Sequence, residues 1–227
     1  MKTSNYITTS FFVFLFGGVF ILFLTAKVDS RSNNNTRFET LEQPLDSFSV
    51  VVAQSGANIN LTKGPASKIM KHYQKGDTCT LPTFIVRNDT LFVQANSTNE
   101  KQPTAQIIYK QINGIVGKEQ SQINLDQFTA DTFNIAIQAG KLFCFPNVSI
   151  DIKKNLNIHA CNGAYVRINQ VNIRDLNLHL DGSELNMQNT PIDKLSGSME
   201  NGSKFYSYKT IRKLNLEVDS TSTYQLN

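Results

Sequence analysis

Tryptophan is absent from the 227 residues, cysteine occurs only three times, and no Cys-x-x-Cys or zinc-ligand spacing is present. Three cysteines exclude a fully paired disulfide scaffold. Cys79, Cys144 and Cys161 fall at unrelated spacings, so buried or free thiols are expected. A strong excess of one charge is also missing, because 22 Lys and Arg face 18 Asp and Glu and leave a net charge of +4. That balance speaks against nucleic-acid binding through a concentrated basic face. After residue 26 no stretch approaches about eighteen apolar residues, and none keeps a helical period for about three turns. No catalytic motif is present, and no enzymatic activity, cofactor or metal is expected.

What is present is a 40% hydrophobic fraction, enough for a core, and one long apolar run. Following a short tail at 1–6, residues 7–26 read ITTSFFVFLFGGVFILFLTA without a charge. At 1.5 Å per residue, about twenty residues span the hydrocarbon core of a bilayer. A cleaved signal peptide is the rival reading, but Leu24 stands where a cut after Ala26 would want a small residue. The segment is therefore expected as a retained single-pass anchor. Lys27, Arg31 and Arg37 follow it and only Lys2 precedes it, which by the positive-inside rule would leave the rest of the chain in the cytoplasm. A short anchor followed by all the folded mass is the usual build of an exported, tethered protein, and export is the expectation here. Residues 27–37, including the run SRSNNNT, read as a polar linker.

From residue 38 onward apolar and polar residues alternate, as in Ile59-Asn60-Leu61 and Leu91-Phe92-Val93. Leu156, Leu176, Leu195 and Leu214 fall 20, 19 and 19 residues apart. Turns keep step with them at Asn162-Gly163, Asp181-Gly182, Asn201-Gly202 and Ser220-Thr221. Apolar residues return after each turn at Val166, Leu185, Phe205 and Tyr224, and Ile173, Ile192 and Ile211 precede the next leucines. A period near twenty in β-rich sequence predicts an all-β parallel solenoid, one coil per repeat. Leu176, Leu178 and Leu180 would point inward, then Leu185 and Met187 after the turn, with Pro191 at a corner and Ile192 on a third wall. Residues 38–226 would make about nine coils, roughly 43 Å long at about 4.8 Å per coil.

Asn58-Ile59-Asn60-Leu61 with Lys63-Gly64, the hairpin from Val86 to Val93 and the Gly-Ser-punctuated ladder from Leu176 to Leu226 stand out along the chain. On these residues the chain resembles the bacterial "putative auto-transporter adhesin, head GIN domain" family. The N-terminal Met1-Lys2-Thr3-Ser4-Asn5 and anchor are similar to short envelope members. The resemblance implies a right-handed solenoid and an exported envelope protein, with no activity and no site residues. The chain is shorter than many members and has few Gly-Ser steps.

Several residues at matching repeat phases are candidates for chemistry. His159 and His179 each lie three residues after a leading leucine and would stack on the outer face, close enough to share a divalent metal. Ser198 and Glu217 follow at that phase, so the ligand set is incomplete and a solvated polar stack is the plainer reading. Asp181, Glu200 and Asp219 accompany three successive turns, which would suit Ca²⁺ or a glycosidase pair, or a β-helix polysaccharide lyase with Lys204 or Arg212 as its basic residue. Asp is also what turns prefer, and turn chemistry is favoured. Asn157, Asn177 and Asn215, with Ser196, form an outward row fit for an amide ladder or for sugar hydroxyls. Tyr206 and Tyr208 flank Ser207, so one should face solvent, where a sugar could stack on it.

The last repeat carries no polar cap beyond Asp219 to Thr223, so its open coil is a candidate site of association. The combined expectation is an anchored solenoid of the bacterial inner membrane with its domain in the periplasm. It would bind or scaffold an envelope polysaccharide or protein. A β-helix lyase or hydrolase, and a plain spacer, are the alternatives.

Overall fold

The computed structural model describes residues 38–76, 79–96, 105–126, 130–145 and 150–226. The expected anchor at 7–26 and linker at 27–37 lie outside them. Among the described residues no helix is long and apolar enough to cross a membrane. The chain divides into two compact units. In one, which holds Phe38, Glu39 and residues 73–76, Tyr73 donates to Glu39 at 2.9 Å and Lys75 lies 3.8 Å from the same carboxylate. The other holds the remaining described residues.

The strands in chain order are β1 (Phe38–Pro44), β2 (Val50–Gln54), β3 (Asn58–Lys63), β4 (Lys68–Gln74), β5 (Thr83–Arg87), β6 (Thr90–Gln94) and β7 (Ala105–Tyr109). They continue with β8 (Gly114–Gly117), β9 (Gln122–Leu125), β10 (Thr132–Gln138), β11 (Lys141–Cys144), β12 (Ile150–Cys161) and β13 (Tyr165–Asn169). The last are β14 (Val171–Asp181), β15 (Glu184–Gln188), β16 (Ile192–Glu200), β17 (Lys204–Ser207), β18 (Ile211–Val218) and β19 (Thr223–Leu226).

From β8 onward the even strands stack in parallel into one sheet and the odd strands into a second. The regular advance takes five steps, from β8 to β10, β12, β14, β16 and β18. This is a β-solenoid of about five turns; nine coils are more than the described strands show. The sequence period is the coil. Leu156, Leu176, Leu195 and Leu214 are consecutive register partners, and so are Val166, Leu185, Phe205 and Tyr224. Alternation explains why, since every second residue of β10 and β15 is buried and the others face out. A single coil cannot cover its own apolar side; stacking buries Leu156, Leu176 and Leu195 completely, each worth about 1.5–3 kcal/mol.

Two features differ from the sequence reading. Ile173 and Ile192 do not form a separate third wall, because they belong to the same strands as Leu176 and Leu195. Two successive residues, Arg174-Asp175 in β14 and Asp193-Lys194 in β16, turn away from the core, while pairing runs through from Ile173↔Ile192 to Asp175↔Lys194. The alternation therefore changes phase within one strand: β14 and β16 keep their register across Arg174 and Asp193, unpaired in the ladder, while between β12 and β14 the register shifts by one residue from Ile152↔Ile173 to Asn155↔Asp175.

The second difference concerns stacking order. β2 lies between β6 and β8, and β3 lies between β7 and β9. The coil of β2 and β3 is thus sandwiched between coils made later in the chain. β5 joins this end as an antiparallel hairpin with β6, its turn built by Asn88 and Asp89 at φ 48° and 60°. Two positive φ values are what a two-residue hairpin turn requires. β4 is likewise antiparallel to β7.

Gly197 occupies an inward position between Leu178 and Leu216. Its φ is +142°, and a Cβ there would collide with the Leu178 carbonyl. Only glycine fits that approach of backbone to backbone.

Candidate functional site

The turns are joined from coil to coil by serines. The Ala164 N–H donates to Ser183 Oγ at 3.2 Å, the Ser183 N–H to Ser203 Oγ at 3.3 Å, and the Ser203 N–H to Ser222 Oγ at 3.1 Å. All three serines are buried, and each hydroxyl accepts from a backbone N–H of the preceding coil; the Ser203 N–H is shared with the Glu200 carbonyl at 3.3 Å.

The acidic residues are engaged in the same corners. Asp181 and Glu200 are register partners. Asp181 Oδ1 accepts from the Asn201 amide at 2.6 Å, and Glu200 lies 3.5 Å from His179 Nε2. The Asp219 carboxylate accepts from the backbone N–H groups of Asn201 at 2.8 Å, Thr221 at 3.0 Å and Ser222 at 2.8 Å. Hydrogen bonding from Ser222 first, then from Asn201 and Thr221, holds Asp219 well below the usual carboxylate range. Of the two basic residues weighed as partners for these acids, Arg212 pairs with Asp193 at 3.1 Å, and Lys204 stands beside Glu184 in the second sheet.

His159 and His179 are direct register partners. Their rings stack at 4.8 Å between centroids and 14° between planes. His179 Nδ1 is 2.7 Å from Ser198 Oγ. Among the described residues no group of three or more metal-ligating side chains forms a site.

Beside the histidines runs the amide row, longer than its sequence period suggests. Asn157 donates to Asn134 Oδ1 at 2.8 Å, Asn177 to Asn157 Oδ1 at 2.8 Å, and Ser196 Oγ to Asn177 Oδ1 at 2.9 Å. Asn134 escaped the sequence reading because 23 residues separate it from Asn157, which is outside the 19–20 period. Within the ladder Asn157 and Asn177 each use one amide hydrogen and one lone pair, leaving one of each for an outside partner. Between this row and the row Val116, Ala136, His159, His179 lies a groove of about 490 Å³, running across the strands. One wall is hydrogen-bonding amide; the other changes from apolar at Val116 and Ala136 to polar at the histidines.

The second sheet carries an outward row that sequence reasoning missed apart from Tyr206. Phe143, Arg167, Asn186 and Tyr206 are consecutive register partners. Phe143 packs on Phe145 at 6.3 Å and on Tyr165 at 5.8 Å, and the Arg167 guanidinium lies 5.2 Å from the Phe145 centroid. The signal was a recurrence of aromatic and planar polar residues at spacings of 24, 19 and 20. Tyr206 is half-buried and its neighbour Tyr208 is exposed.

β18 and β19 each end their sheet, and Leu214, Tyr224 and Leu226, which continue inward columns, are 43%, 47% and 38% exposed. The three cysteines are free. Burial pushes the Cys144 thiol up to about 12 and also raises the pKa of the buried Tyr109 hydroxyl.

No protein-family model matches the chain, and no curated protein matches it. Solved structures do. A "putative adhesin" from Bacteroides fragilis superposes with a TM-score of 0.55 at 15% identity, covering 85% of this chain and 98% of that one. A "putative adhesin" from Parabacteroides distasonis gives 0.49 at 6% identity, covering 84% and 98%. A "putative lipid binding protein" from the same species gives 0.46 at 9% identity, covering 85% and 98%. At such identities the B. fragilis likeness establishes a shared fold.

Proposed function

We propose that the chain is a non-enzymatic binding module of the bacterial envelope, adhesin-like and akin to the head GIN domain proteins. In this reading the 7–26 segment anchors it in the inner membrane and the solenoid stands in the periplasm. Its ligand is an extended polar polymer, an envelope polysaccharide, lying in the groove beside Asn134, Asn157, Asn177 and Ser196. The observation that carries the reading is the amide ladder. It repeats one free donor and one free acceptor at about the strand spacing of 4.8 Å along an open groove. A repeating surface suits a repeating ligand. The acids support binding over turnover, since Asp181, Glu200 and Asp219 each hold a turn amide or a histidine. The solved B. fragilis protein of like fold carries the description "putative adhesin".

Co-sedimentation of the detergent-solubilised full chain with sacculi and with capsular polysaccharide of the host bacterium tests this. Retention is expected, with about tenfold weaker binding after Asn157→Ala with Asn177→Ala. If neither polymer retains the native chain, or the double variant binds equally well, the reading fails. A partner at the free edges of β18 and β19 belongs to the same proposal. A monomeric mass at every concentration, alone and with those polymers, would remove that part.

A further inference from the structure

The row on the second sheet is a more specific feature than the groove. Arg167 and Asn186 are neighbours across β13 and β15, and Asn169 and Gln188 are neighbours two residues further along the same strands. These four planar polar side chains form a two-by-two array on the outward face. Arg167 Nη2 donates to Gln188 Oε1 at 2.9 Å. Arg167 Nε, Asn169 Oδ1 and Asn186 Oδ1, by contrast, are buried and have no hydrogen-bond partner. Leaving a buried donor and two buried acceptors unmade is costly, and native surfaces seldom do so without a reason. Phe143 stands next to Arg167 on one side and Tyr206 next to Asn186 on the other. The order across the strands is therefore aromatic, polar, polar, aromatic.

We propose that this row is a binding platform for a neutral saccharide of two to three units laid across strands β11, β13, β15 and β17. Three strand spacings separate Phe143 from Tyr206, about 14 Å. The chemistry selects the class. These three atoms are closed to solvent in the free chain, so a ligand must turn their side chains outward; a sugar hydroxyl both donates and accepts, so one ligand can then accept from Arg167 Nε and donate to the two asparagine carbonyl oxygens. A carboxylate or phosphate would satisfy the arginine but place its oxygens against those carbonyls. The C–H face of a sugar ring packs on an aromatic face, which the row offers at both ends. The site lies on the other sheet from the amide ladder and does not depend on the groove reading.

The test is calorimetric titration of the full chain in detergent with cellohexaose, maltohexaose and mannohexaose, and with polygalacturonate as an anionic probe. Saturable binding of at least one neutral hexasaccharide is expected. Tyr206→Ala and Asn186→Leu should each weaken it about tenfold, and Arg167→Lys, which keeps the charge but loses Nε, by a similar factor. The Asn157→Ala, Asn177→Ala double variant should bind as the native chain does, which separates this platform from the groove. Thermal melts of every variant identify any that lose the fold, and the conservative Tyr206→Phe should retain the stacking. Absence of saturable binding to all three neutral sugars overturns the proposal. So does binding that the platform variants leave unchanged, or binding of polygalacturonate alone.

Discussion

The rings of His159 and His179 lie face to face, 4.8 Å apart, and only His179 is held on both sides, by Ser198 Oγ at 2.7 Å and by Glu200 at 3.5 Å. The two histidines are thus chemically unequal despite occupying equivalent positions in successive coils. His179→Ala removes the stack together with the contacts to Ser198 and Glu200 and should cost about 1–2 kcal/mol. His159→Ala removes the stack alone and should cost about 0.5 kcal/mol. Urea unfolding of both variants checks this, and equal losses would show that the Ser198 and Glu200 contacts together contribute nothing.

Gly197 should be the least replaceable glycine of the regular coils. A Cβ at this position meets the Leu178 carbonyl, whereas a Cβ at Gly163 meets nothing within 4 Å although its φ is also positive, at +75°. Gly163→Ala should therefore cost about 1 kcal/mol for its backbone conformation alone. Gly197→Ala must also displace backbone in a packed sheet and should cost about 3 kcal/mol or more. Chemical denaturation midpoints distinguish the two, and similar midpoints would contradict the close approach.

Asp219 predicts an acid-dependent stability. Its pKa in the folded chain is lowered from the ordinary 3.8, so as pH falls the unfolded chain takes up the proton first. The stabilisation it provides is complete above about pH 4 and is lost as pH falls toward the folded value. Asp219→Asn should melt below the native chain at pH 7, and the gap should narrow between pH 4 and pH 2. A gap of constant width over that range would mean that the carboxylate charge is not what the Asn201, Thr221 and Ser222 amides recognise.

The membrane orientation has a direct readout. A C-terminal tag should resist protease in intact cells and be cleaved once the outer barrier is opened, with the protein in the membrane pellet. Protection until complete lysis would place the solenoid in the cytoplasm, in agreement with Lys27, Arg31 and Arg37, and would defeat the envelope reading.

The repeat was legible because a stacked coil is a translation. Leu156, Leu176, Leu195 and Leu214 must share a phase if they share a column, and the histidine pair and most of the amide row follow from the same arithmetic. Pairing between coils distant in sequence leaves no period, so the position of β2 between β6 and β8 was invisible. The phase change at Arg174-Asp175 was hidden because two outward polar residues read equally well as a corner between separate walls. The Phe143, Arg167, Asn186, Tyr206 row was overlooked because its members share geometry and not residue type. The corner serines left a readable trace in Gly182-Ser183 and Gly202-Ser203, but nothing in that dipeptide says that the hydroxyl reaches the preceding coil.

The interleaved coil has a consequence for biogenesis. Val50 pairs with Thr90 on one side and with Gly114 on the other, so β2 waits 40 and then 64 residues for its two neighbours. A nascent chain emerging from its N-terminus carries β2 with both edges bare until β6 has appeared, and with one edge bare until β8 has. Later coils find their neighbours within about twenty residues and can add one after another as they emerge. The seed is therefore slow and prone to pairing with other chains, while growth from it is quick. A chaperone guarding this molecule has most to protect between β2 and β8.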